Sequence, residues 1–428
     1  MLKTLDIAVV GAGPAGLAAA LFLHRARHRV TVVERFDQPR PLGSGLILQP
    51  TGLAVLGALG LREEIMALGS RIDRLYGADA ASGRTVLDVR YDALRSGAHG
   101  LAVHRAALFS VLHRAVAAEG IAIATGSEVA GLDDRGGRPA LLGAQGRSLG
   151  GFDLVVDASG ARSPLRGLSR VPAEPRPLAY GAFWASLDWR DGFDANALTQ
   201  RYRRARVMIG VLPIGRREAG GPQMAAFFWS LKPADAERVK AAGIEAWKAE
   251  VARHWPEAAA YTGQVGGFDQ LTLARYGHHT LVYPAGRGIA FIGDSAHSTS
   301  PQLGQGANMA LLDAAALAAS LAAEDDVPDA LDAYCRARRW HVRVFQGLSF
   351  VFTPFYQSDS RLLPFLRDTL VATVARVPPA PRLLAAMVAG TIVDPHVELR
   401  AGVAAAPSTV ARGSATEGAG TRQDAAPS

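Results

Sequence analysis

A glycine-rich turn near the amino terminus limits this chain more than any other feature. Gly11-Ala-Gly13-Pro-Ala-Gly16 follows a short apolar run, Asp6 to Val10, and opens an Ala/Leu-rich segment from about Pro14 to Arg27. A second apolar run, Arg29 to Val33, ends at Glu34, 18 residues beyond Gly16. The pattern predicts strand, helix and strand, a βαβ unit of the usual size. Each glycine then has a physical task. Gly11 permits the tight turn, Gly13 lets backbone approach a pyrophosphate, and Gly16 allows close packing of helix on strand. The helix start offers unpaired N–H groups and partial positive charge to phosphates. Glu34 suits the two hydroxyls of a ribose and would repel a 2′-phosphate, so the site favours FAD or NAD over NADP.

Composition removes several alternatives. A chain of 428 residues holds two to three domains, or one large α/β enzyme with an inserted second domain. With 49% hydrophobic and 20% charged residues, it has enough apolar material for a core. Cys335 is the one cysteine, which excludes a disulfide framework and multi-cysteine metal sites. The net charge of +7 is mild, and no basic run is interleaved with aromatics, so no nucleic-acid partner is expected. Ile7 to Leu23 is uncharged but broken by Gly11, Gly13, Pro14 and Gly16, unlike a signal segment. Val344 to Ser358 is too short and polar to span a bilayer. A cytoplasmic protein without a transmembrane segment is the expectation.

Further along, Gly52 to Gly69 predicts an amphipathic helix, Leu75 to Val89 strands, Arg105 to Ala118 a helix, and Ile121 to Ala124 and Leu154 to Asp157 strands. Between about 178 and 282 the texture changes. Tyr180 to Leu187, Val207 to Leu212 and Met224 to Leu231 alternate aromatic and apolar residues, which predicts a mostly antiparallel sheet, with a helix near Gly243 to His254. Ile289 to Ile292 returns to a buried strand, and a long Ala/Leu helix runs from about Gly306 to Ala323. The expected class is α/β, a Rossmann-like domain with an inserted sheet domain and a C-terminal helical region. The cofactor domain takes 1–75, 97–177 and 280–335, and the substrate domain 76–96 and 178–279. Residues 336–403 are expected to be helical, and 404–428 a disordered tail.

A second motif lies far downstream: Gly293-Asp294-Ser295-Ala296-His297, then Pro301-Gln302-Leu303-Gly304-Gln305-Gly306-Ala307-Asn308. An aspartate at the carboxyl end of a strand can bind a polyol hydroxyl beside a ligand crevice. The glycine-rich loop exposes N–H groups, and the helix starting near Ala307 would stabilise negative charge. Together with the first motif, this sequence resembles the FAD-dependent aromatic hydroxylases, the single-component flavoprotein monooxygenases like p-hydroxybenzoate hydroxylase, over roughly residues 5 to 345. The resemblance implies that Gly11, Gly13, Ala15, Gly16, Glu34 and Arg35 bind the ADP half of FAD and that Asp294 holds the ribityl chain. It places Pro301 beside the flavin ring and Gly304, Gly306, Ala307 and Asn308 near its pyrimidine end. Gly43-Ser44-Gly45 resembles the segment passing close to the flavin. Arg105 resembles the arginine reaching the ribityl and phosphate region, and Val129 the residue whose backbone meets adenine.

One departure is specific. The family's middle motif, A-D-G-x-x-S-x-x-R, reads here Ala158-Ser159-Gly160-Ala161-Arg162-Ser163-Pro164-Leu165-Arg166. Ser159 replaces the aspartate that the family links to FAD and NAD(P)H, while Gly160, Ser163 and Arg166 match. The implied cycle uses NADPH or NADH as transient donor and O2, and hydroxylates or epoxidises an aromatic or electron-rich small molecule through a flavin C4a-hydroperoxide. No side-chain base or metal is required. His297 reads as a loop-structuring residue, His278-His279 as surface, and Cys335 as a small buried residue. Of Phe183, Trp184, Tyr202, Phe227, Phe228 and Trp229, half should face a substrate cavity and half should pack. Phe350, Phe352, Phe355 and Tyr356 read chiefly as helix packing. A halogenase, a reductase or another flavin oxidoreductase on the same scaffold, a non-catalytic FAD-binding homologue, and a homodimer stay open.

Overall fold

β1 (Asp6–Val10), α1 (Pro14–Arg25) and β2 (Arg29–Val33) form the βαβ unit in the computed structural model, which describes residues 2–39, 43–371, 374–375 and 377–393. β1 pairs in parallel with β2 on one side and with strand Leu154–Asp157 on the other. Strands Ile289–Phe291 and Ala122–Ala124 extend the sheet in parallel, and Ala285–Gly286 closes one edge antiparallel. Both faces are covered, so the strands are continuous apolar runs rather than alternating ones. The small side chains of α1 (Ala18, Ala19, Ala20) let helix Gly306–Ala323 approach it closely, and both pack into the main core. Among the described residues, Gly306–Ala323 alone is long and apolar enough to cross a membrane. Here it is largely buried against protein.

The segment Gly52 to Gly69 is not one helix. It forms Pro50–Ala58 and Arg62–Leu68, separated where Gly60 adopts a φ of 70°. That left-handed residue ends the first helix and redirects the chain. Two short antiparallel strands, Gly45–Leu48 and Ser70–Ile72, flank Gly100–His104. The sequence reading contained none of these three.

A seven-stranded sheet stands against this domain, in the order Thr272–Ala274, Gly181–Asp188, Met224–Leu231, Val207–Gly215, Ala197–Arg203, Arg74–Asp79, Thr85–Arg90. Its pairs are antiparallel except Arg74–Asp79 with Ala197–Arg203. Alternation divides the aromatics. Phe183, Phe227 and Trp229 pack with Trp247 and Trp255 beneath helix Ile244–His254. Trp184, Tyr202 and Phe228 occupy the opposite face, on which Met208 meets Gln302. Helix Val327–Tyr356 then runs along the molecule, capped by Asp326, whose side chain accepts from Asp329 N–H at 2.8 Å. The 404–428 tail and 394–403 lie outside the described residues.

Candidate cofactor cleft and active site

The first glycine turn has two glycines that serve the protein and one that does not. Gly11 has a φ of 103°, and a Cβ on it would lie 2.7 Å from the Ala158 carbonyl oxygen. A Cβ on Gly16 would lie 1.9 Å from the Gly11 carbonyl oxygen. Gly13 has no protein atom within 4 Å of its Cβ position. The space ahead of α1 is therefore clear where a pyrophosphate would meet helix N–H groups. Ala15 lies against Gly293 of the second loop. Glu34 is buried at the end of β2, where it accepts from Ala12 N–H at 2.8 Å and Phe36 N–H at 3.0 Å. Arg35 is exposed, its guanidinium 4.7 Å from the Phe36 ring centroid. Val129 is buried in the core beside Val33, so its backbone rather than its side chain can meet a ligand.

The middle and second loops are locked together. Strands Leu154–Asp157 and Ile289–Phe291 end side by side, and Asp157 C=O accepts Ile292 N–H at 3.0 Å and Ser295 Oγ at 2.6 Å. The Asp157 carboxylate accepts the N–H and hydroxyl of Ser159 and the hydroxyl of Ser163. Burial pushes its carboxyl up from the ordinary range, and the three donors oppose that. Arg166 is buried too, and donates to the carbonyls of Ala161 at 2.6 Å and Ser295 at 3.3 Å. Ser159 and Gly160, with a φ of 87° at the glycine, thus lie on a fixed loop. Asp294 is open to solvent beyond the strand end, within electrostatic reach of Arg105.

Beneath the second loop, Asp313 accepts from Gly293 N–H, His297 Nε2 and Arg338 Nε at 2.7–2.8 Å. Burial alone would raise its carboxyl, but the His297 and Arg338 charges outweigh that and hold it at about 2. His297 is thus a fixed structural link. His279 is not at the surface: it is buried in strand Gly277–Thr280, between Ser298 Oγ at 2.7 Å and the Ser295 carbonyl at 3.2 Å. Pairing of that strand with His297–Ser298 folds it inward. Cys335 is buried, which pushes its thiol up to about 12.

On the side of the seven-stranded sheet, Gly43 sits over Arg105, where a Cβ would approach Cδ to 3.0 Å. Ser44 Oγ meets Ser186 Oγ at 2.8 Å, and Ser186 Oγ meets His104 Nε2 at 3.1 Å. His104 Nδ1 accepts Ala106 N–H, capping helix Arg105–Ala118, so Nε2 carries the ring proton. Burial, with help from Arg217, lowers His104 to about 4. This chain pins Gly43–Gly45 to the sheet domain, and Gly45 is tight against Ile214. Asn308 binds Gln49 N–H and the carbonyls of Ile47 and Gly304, so its side chain holds the loop shape. Pro301 is exposed, and Gln302 Nε2 reaches Met208 Sδ at 3.9 Å on the sheet's inner face.

That inner face carries Trp184, Phe228, Tyr202 and Met208, with Gln200 Oε1 accepting Tyr202 OH at 2.9 Å. Trp184 Nε1 donates to Tyr276 OH at 2.8 Å. Burial pushes Tyr276 up to about 12, against Trp184 and nearby Arg105. Its hydroxyl is therefore neutral and keeps its own proton to donate. Sequence reasoning missed Asp157, His104, Ser186, Tyr276, Asp313 and Arg338. Only His104 had a local signal, as the residue preceding a helix. Among the described residues, no group of three or more His, Cys, Asp or Glu side chains is arranged for a metal.

The FAD binding domain family matches residues 4–345. The 3-amino-4-hydroxybenzoate 2-monooxygenase of Streptomyces cremeus is 32% identical over 339 residues, 76% of this chain and 81% of that protein. The 6-methylpretetramide 4-monooxygenase of Streptomyces rimosus is 29% identical over 383 residues, 87% of this chain and 89% of that protein. Among solved structures, Klebsiella pneumoniae HpxO complexed with FAD and uric acid superposes with a TM-score of 0.74 at 19% identity, covering 90% of this chain and 97% of that one. A tetrameric form of 2-methyl-3-hydroxypyridine-5-carboxylic acid oxygenase superposes equally well, at 0.74 and 21% identity, covering 90% and 96%. The chain belongs to the FAD-dependent aromatic monooxygenases. It is an enzyme of that class, with FAD as cofactor and NAD(P)H as electron donor.

Proposed function

We propose that this monooxygenase hydroxylates a small aromatic ring activated by amino or hydroxyl groups, bound between Pro301 and the inner face of the seven-stranded sheet. The observation that carries this reading is the set of Trp184, Phe228, Tyr202 and Met208 on that face, reached by Gln302 of the flavin loop. Of these the half-buried Trp184, with Tyr276 beside it, can meet a ring, and the buried Phe228, Tyr202 and Met208 form the packed layer behind them. The 3-amino-4-hydroxybenzoate 2-monooxygenase named above acts on an amino- and hydroxy-substituted ring, which supports the same class here.

Bound FAD supplies the redox and oxygen chemistry. The chain's own residues position and shield. In this reading Gly13 and α1 receive the pyrophosphate, Glu34 the ribose, Arg35 and Val129 the adenine side, and Asp294, Arg105, Ser159 and Gly160 the ribityl region. Pro301 and Gly304 to Asn308 line the flavin ring. Residues 1–75, 97–177 and 280–335 act as the cofactor domain, and 76–96 and 178–279 as the substrate domain. Use of NAD(P)H and a free buried thiol are consistent with a cytoplasmic setting. Self-association belongs to the proposal through the exposed Trp340, Phe350 and Val351. Anaerobic mixing of the yellow protein with NADPH or NADH, with and without aminophenols and hydroxybenzoates, tests the reading. Bleaching of the flavin band that a compound accelerates supports it. A band unmoved by either donor with every compound contradicts it.

A further inference from the structure

Behind the second flavin loop lies a cavity of about 250 Å³, between Leu281–Pro284 and helix Val327–Tyr356. None of the residues assigned to FAD lines it. Its walls are mainly apolar, with Leu281, Val342 and the Tyr334 ring, and the paired Asp313 and Arg338 also border it. Two buried side chains in its lining carry polar atoms without a protein partner, His297 Nδ1 and Gln346 Oε1. His297 is 4% exposed and Gln346 5%, so bulk water does not satisfy either. His297 Nε2 meets Asp313 at 2.7 Å, and its Nδ1 is left without a partner. Gln346 Nε2 donates to Ser298 C=O at 3.4 Å, leaving its carbonyl oxygen as an acceptor. At the mouth stand Arg339 and Arg343, both exposed.

We propose that this cavity is a second ligand site, for a small aromatic acid carrying a hydroxyl or amino group. Buried polar atoms left without a partner call for one, because their lost hydration is otherwise uncompensated. An apolar cavity of ~150 Å³ admits benzene, so this one has room for a substituted ring. The two guanidinium groups at the mouth suit a carboxylate. The hydroxyl end lies inward on His297 and Gln346, the ring lies on Val342 and Leu281, and the carboxylate faces out. A ligand there touches His297, whose partner Asp313 also holds Gly293, the residue before Asp294. The site thus sits one hydrogen bond from the loop assigned to the ribityl chain.

The test is calorimetric titration of the FAD-loaded enzyme with 3-hydroxybenzoate, compared with the R339E/R343E variant. Both arginines are exposed and lie outside the cleft, so the variant should keep its flavin band and melting temperature. The wild type should bind one more molecule per chain than the variant, or bind that molecule at least about tenfold more tightly. Val342→Trp, which fills the cavity from its wall, should lose the same event, and if it fails to fold the arginine pair decides alone. Equal stoichiometry and equal affinity in wild type and R339E/R343E overturn the proposal.

Discussion

The carboxylate of Asp157 accepts both the N–H of Ser159, at 2.9 Å, and its hydroxyl, at 2.5 Å. The family's acidic residue belongs at position 159, and here the carboxylate stands two residues earlier, inside the strand end. It organises the loop from below. Restoring the family residue is therefore not a repair. Ser159→Asp would set a second carboxylate against a buried first one, and like charges at hydrogen-bond distance are strongly unfavourable. The variant should bind FAD more weakly than the wild type in fluorescence titrations. Asp157→Gly added to it should recover part of the loss. Tighter FAD binding by Ser159→Asp alone would contradict the loop's account.

The three glycines of the first turn should separate cleanly. Gly13→Val has open space, so it should fold with a nearly unchanged melting temperature yet purify colourless. Gly16→Ala places a Cβ on the Gly11 carbonyl and should cost about 3 kcal/mol or more of stability. Thermal melts and the flavin absorption of the two proteins check this. A yellow Gly13→Val protein would remove the pyrophosphate assignment.

Asp313→Asn leaves the Arg338 guanidinium buried with its main counter-charge gone. Breaking such a pair costs about 3–5 kcal/mol. The melting temperature should fall by several degrees, and the loop of Asp294 should loosen with it, so FAD is released faster. An unchanged melting temperature would show that the triad is not structural.

Acid should destabilise the protein through its buried histidines. Burial first of all lowers His104 and His279 to about 4 and His341 to about 3, from an ordinary value of 6.5. Folded chains then bind fewer protons than unfolded ones between those limits. The stability these rings contribute is complete above pH 6.5 and is lost as pH falls towards 4. Denaturant melts from pH 7 to 5 should show a steady decline. A flat profile across that range would mean the three rings titrate normally.

Tyr276→Phe removes the acceptor of the Trp184 indole and a donor facing the cleft. It should lower stability by about 1–3 kcal/mol. It should also raise the share of NAD(P)H oxidised to hydrogen peroxide, as the ring wall beside the flavin loosens. Peroxide yield per NAD(P)H is the readout, and an unchanged yield would place Tyr276 outside the chamber.

The cofactor turn was legible in the sequence because its chemistry is local: three glycines, a strand, a helix and Glu34 lie within a short stretch. The second loop was legible for the same reason. The Asp313–His297–Arg338 link was not, because its members are 16 and 25 residues apart and no periodicity marks them. Strand Gly45–Leu48 is only four residues long, too short for alternation to register. The helix break at Gly60 was hidden by apolar residues that kept helical spacing on both sides. His279 resembled a surface residue because its burial depends on pairing with Ser298, a contact made by folding alone.

The central claim is that this chain delivers one atom of O2 to an aromatic ring on bound FAD. The most direct measurement is turnover of the purified protein with NADPH, isotopically labelled O2 and a panel of amino- and hydroxy-substituted aromatics, with products read by mass spectrometry. The account predicts a product that gains a single labelled oxygen, with FAD retained on the protein. Products labelled from water instead, or flavin oxidation that yields only hydrogen peroxide with every compound, would contradict it.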